Sequence, residues 1–166
     1  VMVVAGCLAV GGDHVTNDIA LAFNITQSVA EEIKKRTGTA LLDVAYDDSR
    51  ITLPAELGGR SRTINKRALH TVVNARMDEL LCMVRKRLHE EGFLGQACNS
   101  VVVTGGGAYL RRVSDLAQQV FGAPCKIGEP INVDGLEAVE QPAAFATVAG
   151  LALYGVTTFE GSLLPG

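Results

Sequence analysis

The fold of this chain is decided by residues 100–112, which read Ser-Val-Val-Val-Thr-Gly-Gly-Gly-Ala-Tyr-Leu-Arg-Arg. Three consecutive valines without a charge predict a strand that is buried on both faces. Three glycines follow at once, and apolar residues then recur at helical spacing from Leu110 onward. The stretch therefore predicts a strand, a glycine turn and a helix. That arrangement lets a ligand approach both the backbone and the free N–H groups of a helix start.

The glycine turn, formed by Gly105, Gly106 and Gly107, has the physical features of a nucleotide site but neither common nucleotide motif. No Gly-Lys-Ser/Thr follows it, so it is not a P-loop, and the spacing of the dinucleotide fingerprint is absent. A second interpretation stays open at this point. The turn can equally be a tight connection between a strand and a helix that needs glycine and binds nothing.

Length, composition and charge limit the classes of protein to which this chain can belong. The 166 residues are enough for one domain, or one domain with a small lobe. A net charge of -3 and the absence of Trp argue against nucleic-acid binding. The four cysteines form no Cys-x-x-Cys pair, which indicates core residues of a protein from a reducing compartment. The chain begins with Val inside an apolar stretch, so we expect a piece of a longer protein.

Hydrophobic periodicity predicts the element order β-α-α-β-β-α-β-α-β-α, which is typical of an α/β protein. The first strand is predicted over residues 1–10. A hairpin is predicted from short strands at 41–45 and 50–53, because turn residues lie between them. The longest helix is predicted over 65–91, and residues 157–166 are predicted to form a loose tail.

Glu31 and Lys34 are the first candidates for chemistry, because their i, i+3 spacing puts both on one face of a predicted helix. Such a pair can hold a ribose diol, with the carboxylate accepting from the hydroxyls. The competing interpretation is a solvated helix face with a weak ion pair, the commoner meaning of this spacing. The three histidines show neither metal-ligand spacing nor a catalytic arrangement, so the sequence indicates no catalytic residue and no metal ligand.

A run of basic residues stands out in this acidic chain. Only Asp78 and Glu79 dilute it. Its members are Arg60, Arg62, Lys66, Arg67, Arg76, Arg85, Lys86 and Arg87. Such a local excess fits the docking of an acidic partner segment, and the alternative is simple solubility along a long helix.

Three stretches together resemble the FtsA family of bacterial cell-division proteins, within the actin-like ATPase superfamily. Residues 10–20, Val-Gly-Gly-Asp-His-Val-Thr-Asn-Asp-Ile-Ala, are similar to the family segment that follows the second phosphate loop. Residues 101–110 are similar to the family's adenosine motif. Residues 126–130, Lys-Ile-Gly-Glu-Pro, and 144–155 are similar to its C-terminal end. The stretches lie in the family's order and span nearly the whole chain.

The resemblance implies a fold and a cofactor. The fold is the second half of an actin/ribonuclease-H-like ATPase: α/β, with a mixed sheet, flanking helices and a small lobe of hairpin and helix. The implied nucleotide-binding core covers residues 1–38 and 93–160, and the inserted lobe covers 39–92. The implied cofactor of the full-length protein is ATP or ADP with Mg²⁺, and we expect this chain alone to bind it weakly or not at all. The nucleotide-binding residues that the resemblance implies are Gly12, Glu31, Lys34, Gly105, Gly106 and Gly107.

The resemblance also implies partners and a place in the cell. The family docks the C-terminal tail of the tubulin-like protein FtsZ, assembles head to tail into actin-like filaments and is linked to the membrane by a C-terminal helix. The implied location is therefore cytoplasmic, at the inner face of the membrane at the division site, without contact to nucleic acid. We expect the FtsZ tail on the small lobe. The implied contact residues are Arg60, Arg62, Lys66 and Arg67.

We expect the family's phosphate loops and its membrane helix to lie outside these 166 residues. Hydrolysis of ATP is then expected to be weak at most in the full-length protein and absent from this chain. Two other classes stay open: another actin-like protein, such as a pilus-assembly or chaperone ATPase, and the C-terminal domain of a sugar kinase. Residues 11–18 favour FtsA over the first, and the short predicted hairpin argues against the larger substrate insert of the second.

Overall fold

A computed structural model of the chain describes residues 5–42, 49–53, 62–93, 99–131, 133–136 and 138–162, with side chains through residue 156. Within these residues the chain forms five α-helices, two 3-10 helices and four short strands. In chain order they are α1 Gly12–Phe23, α2 Gln27–Thr37, β1 Arg50–Thr52, β2 Thr63–Asn65, α3 Lys66–Glu90, β3 Val101–Val103, the first 3-10 helix Gly106–Tyr109, α4 Val113–Phe121, β4 Cys125–Ile127, the second 3-10 helix Pro142–Phe145 and α5 Ala146–Ser162.

The described strands form two separate pairs. β1 and β2 are antiparallel with Ile51 opposite Ile64, and β3 and β4 are parallel with Val102 opposite Lys126. The predicted hairpin partner for β1 was the segment 41–45, most of which lies outside the described residues. The partner that the structure gives β1 is β2, so the hairpin is displaced along the chain. Ile51 and Ile64 are both buried and pack one face of the pair on the helices.

The larger core lies where α1, α2 and α3 pack together. Ile19, Ile33 and Leu69 contribute one fully buried side chain from each helix. The burial of each such side chain stabilises the fold by about 1.5 to 3 kcal/mol. Because the buried residues recur every three to four positions, the three helices present apolar stripes to one another and leave their polar faces outside. This core fixes the position of α1 relative to α2, on which the candidate site depends.

A second core lies where α4 packs beside α3 and the segment after α2. Its buried members are Ala40, Val113, Leu116 and Val120. Leu110 and Met77 pack against both cores and so join them. Backbone and side-chain hydrogen bonds support the junction: the Ala40 N–H donates to the Arg111 carbonyl at 2.8 Å, and the Asn74 amide donates to the Ala40 carbonyl at 2.6 Å.

Periodicity predicted the longest helix correctly, whereas several other segments differ from their predictions. The long helix predicted over 65–91 is confirmed as α3, whose N-cap Asn65 accepts a hydrogen bond from the Ala68 N–H at 3.0 Å. Residues 5–10 are not in a strand, and the remainder of the strand predicted over 1–10 lies outside the described residues. The strand at 101–103 is confirmed as β3, but Val102 is 52% exposed rather than buried. The loose tail predicted over 157–166 is helical through Ser162, and residues 163–166 lie outside the described residues.

Candidate functional site

A cavity of about 390 Å³ opens where the start of α1, the middle of α2 and both 3-10 helices meet. Its size falls within the range of small-molecule sites, about 300 to 1,000 Å³. Met77 of α3 and Leu110 form part of its apolar lining, and the same two residues join the two cores. The cavity therefore lies at the junction between the two packed halves of the described structure.

The glycine turn forms one wall of the cavity. Gly105 has φ +84 and ψ 177, a backbone conformation that is essentially restricted to glycine. Its N–H donates to the Ala143 carbonyl at 2.9 Å, and the Ala143 N–H donates to the Tyr109 hydroxyl at 2.8 Å. These two bonds join the 3-10 helices. A Cβ placed on Gly106 or Gly107 would meet nothing within 4 Å, so these glycines leave open space.

The helix that was predicted directly after the glycines starts later. A 3-10 turn occupies Gly106–Tyr109, and α4 begins only at Val113 after Arg112, which has φ 59. The N-terminal N–H groups of α4 are thus displaced from the glycine turn by several residues. The wall next to the cavity is a glycine-rich 3-10 turn rather than the first turn of an α-helix.

The opposite wall carries a polar network built on Lys34. Its ammonium donates to Glu31 Oε2 at 2.5 Å, to Thr16 Oγ1 at 2.8 Å and to the Gly12 carbonyl at 3.2 Å. Thr16 Oγ1 also lies 2.5 Å from Glu31 Oε2, and Lys35 approaches Glu31 Oε1 at 3.2 Å. The network ties the first turn of α1 to α2. It leaves Glu31 34% exposed and Lys34 only 13% exposed at the cavity.

The protonation of Glu31 follows from this network. Partial burial acts to raise the pKa of Glu31, but hydrogen bonds from Lys34 and Thr16 and the charge of Lys34 act against it. Together with a hydrogen bond from Lys35 they lower the pKa from its ordinary value of 4.5 to about 2. Glu31 is therefore a carboxylate at neutral pH, and as a carboxylate it can only accept hydrogen bonds from a ligand.

The structure brings most of the predicted nucleotide-binding residues to this one cavity. Five of the six line it: Gly12, Glu31, Lys34, Gly106 and Gly107. Gly105, the residue before Gly106, is not among the lining residues. The glycine turn is about 70 to 95 positions away in the sequence from the other lining residues named here, so tertiary packing brings them together. Binding of a nucleotide by these residues stays a prediction.

Sequence reasoning missed the polar lining residues Asp13, Lys35, Tyr109 and Gln141, and it also missed Thr16, whose hydroxyl contacts Glu31 and Lys34. For Thr16 the sequence offered nothing beyond a position four residues after Gly12, which puts the two residues on the same side of a helix.

Arg62, one of the basic residues predicted to bind a partner, lies at the opposite end of α1 from the cavity. The Arg62 guanidinium donates to the carbonyls of Phe23 and Asn24 at 3.1 and 3.2 Å, which satisfies the C-terminal end of α1. Lys66 and Arg67 begin α3, and Arg60 lies outside the described residues. Arg62 therefore already has a role in the fold, at a helix end where a positive charge is favourable.

The described residues contain neither a metal-ligand cluster nor a helix able to span a membrane. No group of three or more His, Cys, Asp or Glu side chains in that part of the chain is arranged to hold a metal ion. No described helix has both the length and the apolar character that a membrane span needs.

Solved structures share this architecture. MreB5 of Spiroplasma citri bound to ADP superposes with a TM-score of 0.65 over 91% of this chain and 46% of its own, at 20% identity. The same protein bound to AMPPNP gives a TM-score of 0.64 over 93% and 46%, at 18% identity. The PilM–PilN type IV pilus biogenesis complex gives 0.58 over 90% and 38%, at 21% identity. The mixed α/β fold of the described residues is therefore the fold of these actin-like neighbours.

Sequence comparison narrows the class further. A family model described as cell division protein FtsA matches residues 2–150. The cell division protein FtsA of Pseudomonas aeruginosa is 34% identical over 90% of this chain, and that of Escherichia coli is 34% identical over 87%. That of Borreliella burgdorferi is 29% identical over 90%. The chain belongs to the FtsA family of cell division proteins, and it spans 36% of the length of each of these relatives.

Proposed function

We propose that this chain binds an adenine nucleotide, ATP or ADP, in the cavity between α1, α2 and the glycine turn. The observation that carries the proposal is the meeting of Glu31 with Gly106 and Gly107 across one cavity of about 390 Å³. Two structural neighbours, the MreB5 structures of Spiroplasma citri, were solved with ADP and with AMPPNP. Their likeness to this chain supports the fold, and the cavity supports the ligand.

Each wall suits a different part of a nucleotide. A flat ring can lie against Gly106 and Gly107, because no Cβ fills the space in front of them. The carboxylate of Glu31 can accept hydrogen bonds from ribose hydroxyls, since its low pKa keeps it ionised at neutral pH. Mg²⁺ would accompany the phosphates, and we assign none of the described residues to the metal.

The test is a calorimetric titration of the 166-residue chain with ADP. We expect measurable binding that Glu31→Gln weakens by about three- to thirtyfold, as one charge-assisted hydrogen bond is replaced by a neutral one. Glu32→Gln is the matched control, because Glu32 pairs with Arg36 and does not line the cavity. Equal losses in the two variants, or no binding by the parent chain, would contradict the proposal.

A second function is favoured by the charge at the start of α3. We propose that Arg62, Lys66 and Arg67, together with Arg60, dock the acidic C-terminal tail of FtsZ. Arg62 and Arg67 are exposed and Lys66 is half-buried, so their charges can reach a peptide that lies on this end of the helix. Charges at the rim of an interface mainly set the association rate and its dependence on salt.

This second proposal is tested by fluorescence anisotropy with a labelled FtsZ tail peptide. A Lys66→Glu, Arg67→Glu double variant should weaken binding, and the weakening should shrink as salt is added. The matched control is Arg85→Glu, Lys86→Glu, which makes the same charge change near the other end of α3. Equal losses in both pairs would indicate attraction to the whole helix rather than docking at its start.

The wider role that we propose follows from family membership. In the whole protein this region would take part in assembly into actin-like filaments and in linking the FtsZ ring to the inner face of the cell membrane at the division site. Electron microscopy of the full-length protein with and without nucleotide tests the first part. Sedimentation with lipid vesicles tests the second, and the absence of both activities would contradict this role.

A further inference from the structure

Thr16 lies at the centre of the polar network that includes Glu31 and Lys34. It does not line the cavity itself. It is only 7% exposed and sits on α1 one helical turn after Gly12. Its hydroxyl lies 2.5 Å from Glu31 Oε2, 2.8 Å from Lys34 Nζ and 3.2 Å from the Gly12 carbonyl. A threonine hydroxyl carries one proton, so it can donate to only one acceptor at a time.

The proton of the hydroxyl has a preferred acceptor among these neighbours. Lys34 Nζ can only donate, so the Thr16 oxygen accepts from it. Of the two acceptors, the Glu31 carboxylate is charged and closer, and hydrogen bonds to a charged acceptor are roughly twice as strong as neutral ones. The usual bond of a helical threonine to the carbonyl four residues earlier is thus the weaker option, and Lys34 already donates to that carbonyl of Gly12.

The hydrogen bond from Thr16 determines which carboxylate oxygen of Glu31 is available to a ligand in the cavity. Oε2 is held by Thr16 and Lys34, and both of these side chains are mostly buried. Oε1 has Lys35 at 3.2 Å, a side chain that is 74% exposed and whose ion pair is easily displaced. Oε1 is therefore the oxygen that a hydroxyl-bearing ligand in the cavity can reach.

We propose that Thr16 is a positioning residue of the cavity, which holds Glu31 by Oε2 so that Oε1 accepts a hydrogen bond from a ligand hydroxyl. The inference rests on the proposed nucleotide binding and adds to it the residue that orients the carboxylate. A merely structural role for Thr16, as packing between α1 and α2, makes different demands on the side chain. Packing needs the branched shape of threonine, whereas positioning needs the hydroxyl.

Two substitutions separate these roles. Thr16→Val keeps the shape and removes the hydroxyl, and Thr16→Ser keeps the hydroxyl and removes a methyl group. The binding probes are ADP and 2′,3′-dideoxyADP, which lacks both ribose hydroxyls, each titrated calorimetrically into the 166-residue chain. The second measurement is the pKa of the Glu31 carboxyl by NMR without ligand. The other titratable residues lining the cavity are Asp13 of α1, Lys34 and Lys35 of α2, and Tyr109 of the first 3-10 helix, and all variants retain them.

The expected result is a loss of about three- to tenfold in ADP affinity for Thr16→Val, the effect of one hydrogen bond. Its affinity for dideoxyADP should equal that of the parent chain, and the pKa of Glu31 should rise. Thr16→Ser should behave as the parent in both measurements. If Thr16→Val does not fold, Thr16→Ala serves instead, with the ratio of the two affinities as the readout.

Failure of this inference can be distinguished from failure of the proposed nucleotide binding. If Thr16→Val binds ADP as the parent does, or loses the two ligands equally, the inference is overturned while the proposed function stands. If the parent chain binds no ADP, the proposed function and the ligand part of the inference both fail. In that case an unchanged Glu31 pKa in Thr16→Val would also remove the contact between Thr16 and Glu31.

Discussion

Arg76 on α3 donates two hydrogen bonds to Asp18 on α1, from Nε to Oδ2 at 2.5 Å and from Nη2 to Oδ1 at 3.0 Å. Its remaining nitrogen donates to Glu79 at 2.6 Å. The pair lies about halfway along α1, between the cavity at its start and Arg62 at its end. It fixes the rotation of α1 against α3, because a two-pronged arginine–carboxylate contact specifies geometry as well as charge.

The first prediction concerns this pair. Asp18→Asn and Arg76→Gln should each lower the melting temperature of the chain, and the double variant should lose less than the sum of the two. Both side chains are about a quarter exposed, at 25% and 27%, so the coupling should also weaken as salt rises. Thermal unfolding of the four proteins at low and high salt measures it. Strictly additive effects would show that the two side chains do not stabilise the fold as a pair.

A second prediction follows from the low pKa of Glu31. Its pKa is about 2 in the folded chain and near 4.5 in the unfolded chain, so ionised Glu31 stabilises the fold above pH 4.5. This contribution is lost as the pH falls from 4.5 towards 2. Because the side chain is 34% exposed, solvent screening reduces the contribution to about 1 to 2 kcal/mol.

The measurement is the free energy of unfolding in urea at pH 7 and at low pH, for the parent chain and for Glu31→Gln. The variant should be less stable at pH 7, and the difference between the two proteins should shrink in acid. Glu32→Gln should show neither effect, because Glu32 is 51% exposed and its ion pair with Arg36 is an exposed one. A difference for Glu31→Gln that stays constant with pH would contradict the assigned pKa.

The sequence predicted elements well where a periodic pattern was long. α3 carries an apolar stripe over 25 residues, and both of its ends fell within one residue of the prediction. Of the short strands only β2 was missed, because a run such as Thr63–Asn65 is too short to show a period of two. β2 is specified instead by Ile64 packing onto the helical core, which is a tertiary contact.

The candidate site was predicted in part because glycines and charge pairs carry local signals. Gly105, Gly106 and Gly107 stand out in any sequence, and Glu31 with Lys34 has a recognisable helical spacing. Thr16 has no such signal, since a threonine inside a helix is ordinary and its contacts arise from the packing of α1 on α2. The exposure of Val102 could not be predicted either, because a run of valines does not reveal how many strands lie beside it.

The third prediction tests the close packing at the end of α2. A Cβ on Gly38 would lie 2.4 Å from the Lys34 carbonyl oxygen and 3.2 Å from Leu110 Cδ1. Gly38→Ala should therefore destabilise the chain by about 1 to 3 kcal/mol, although its φ of -61 suits alanine. Gly150→Ala is the matched control, because Gly150 lies in α5 with nothing within 4 Å and alanine favours a helix. Urea denaturation of the two variants should give effects of opposite sign, and a neutral Gly38→Ala would show that the backbone there can shift.

The last prediction separates the two uses of glycine in the turn. Gly105 needs glycine for its backbone, since φ +84 with ψ 177 strains any residue that has a Cβ, whereas the space around it is open. Gly105→Ala should therefore cost about 1 to 3 kcal/mol in the free energy of unfolding. Gly106 also has open space but no positive φ, so Gly106→Ala should change stability by less than about 0.5 kcal/mol. If the cavity holds a nucleotide ring, the new methyl group on Gly106 should nevertheless weaken ADP binding in a calorimetric titration. Gly106→Ala with parent-like affinity would mean that the ring does not lie against this wall, and equal stability losses in the two variants would mean that strain is not confined to Gly105.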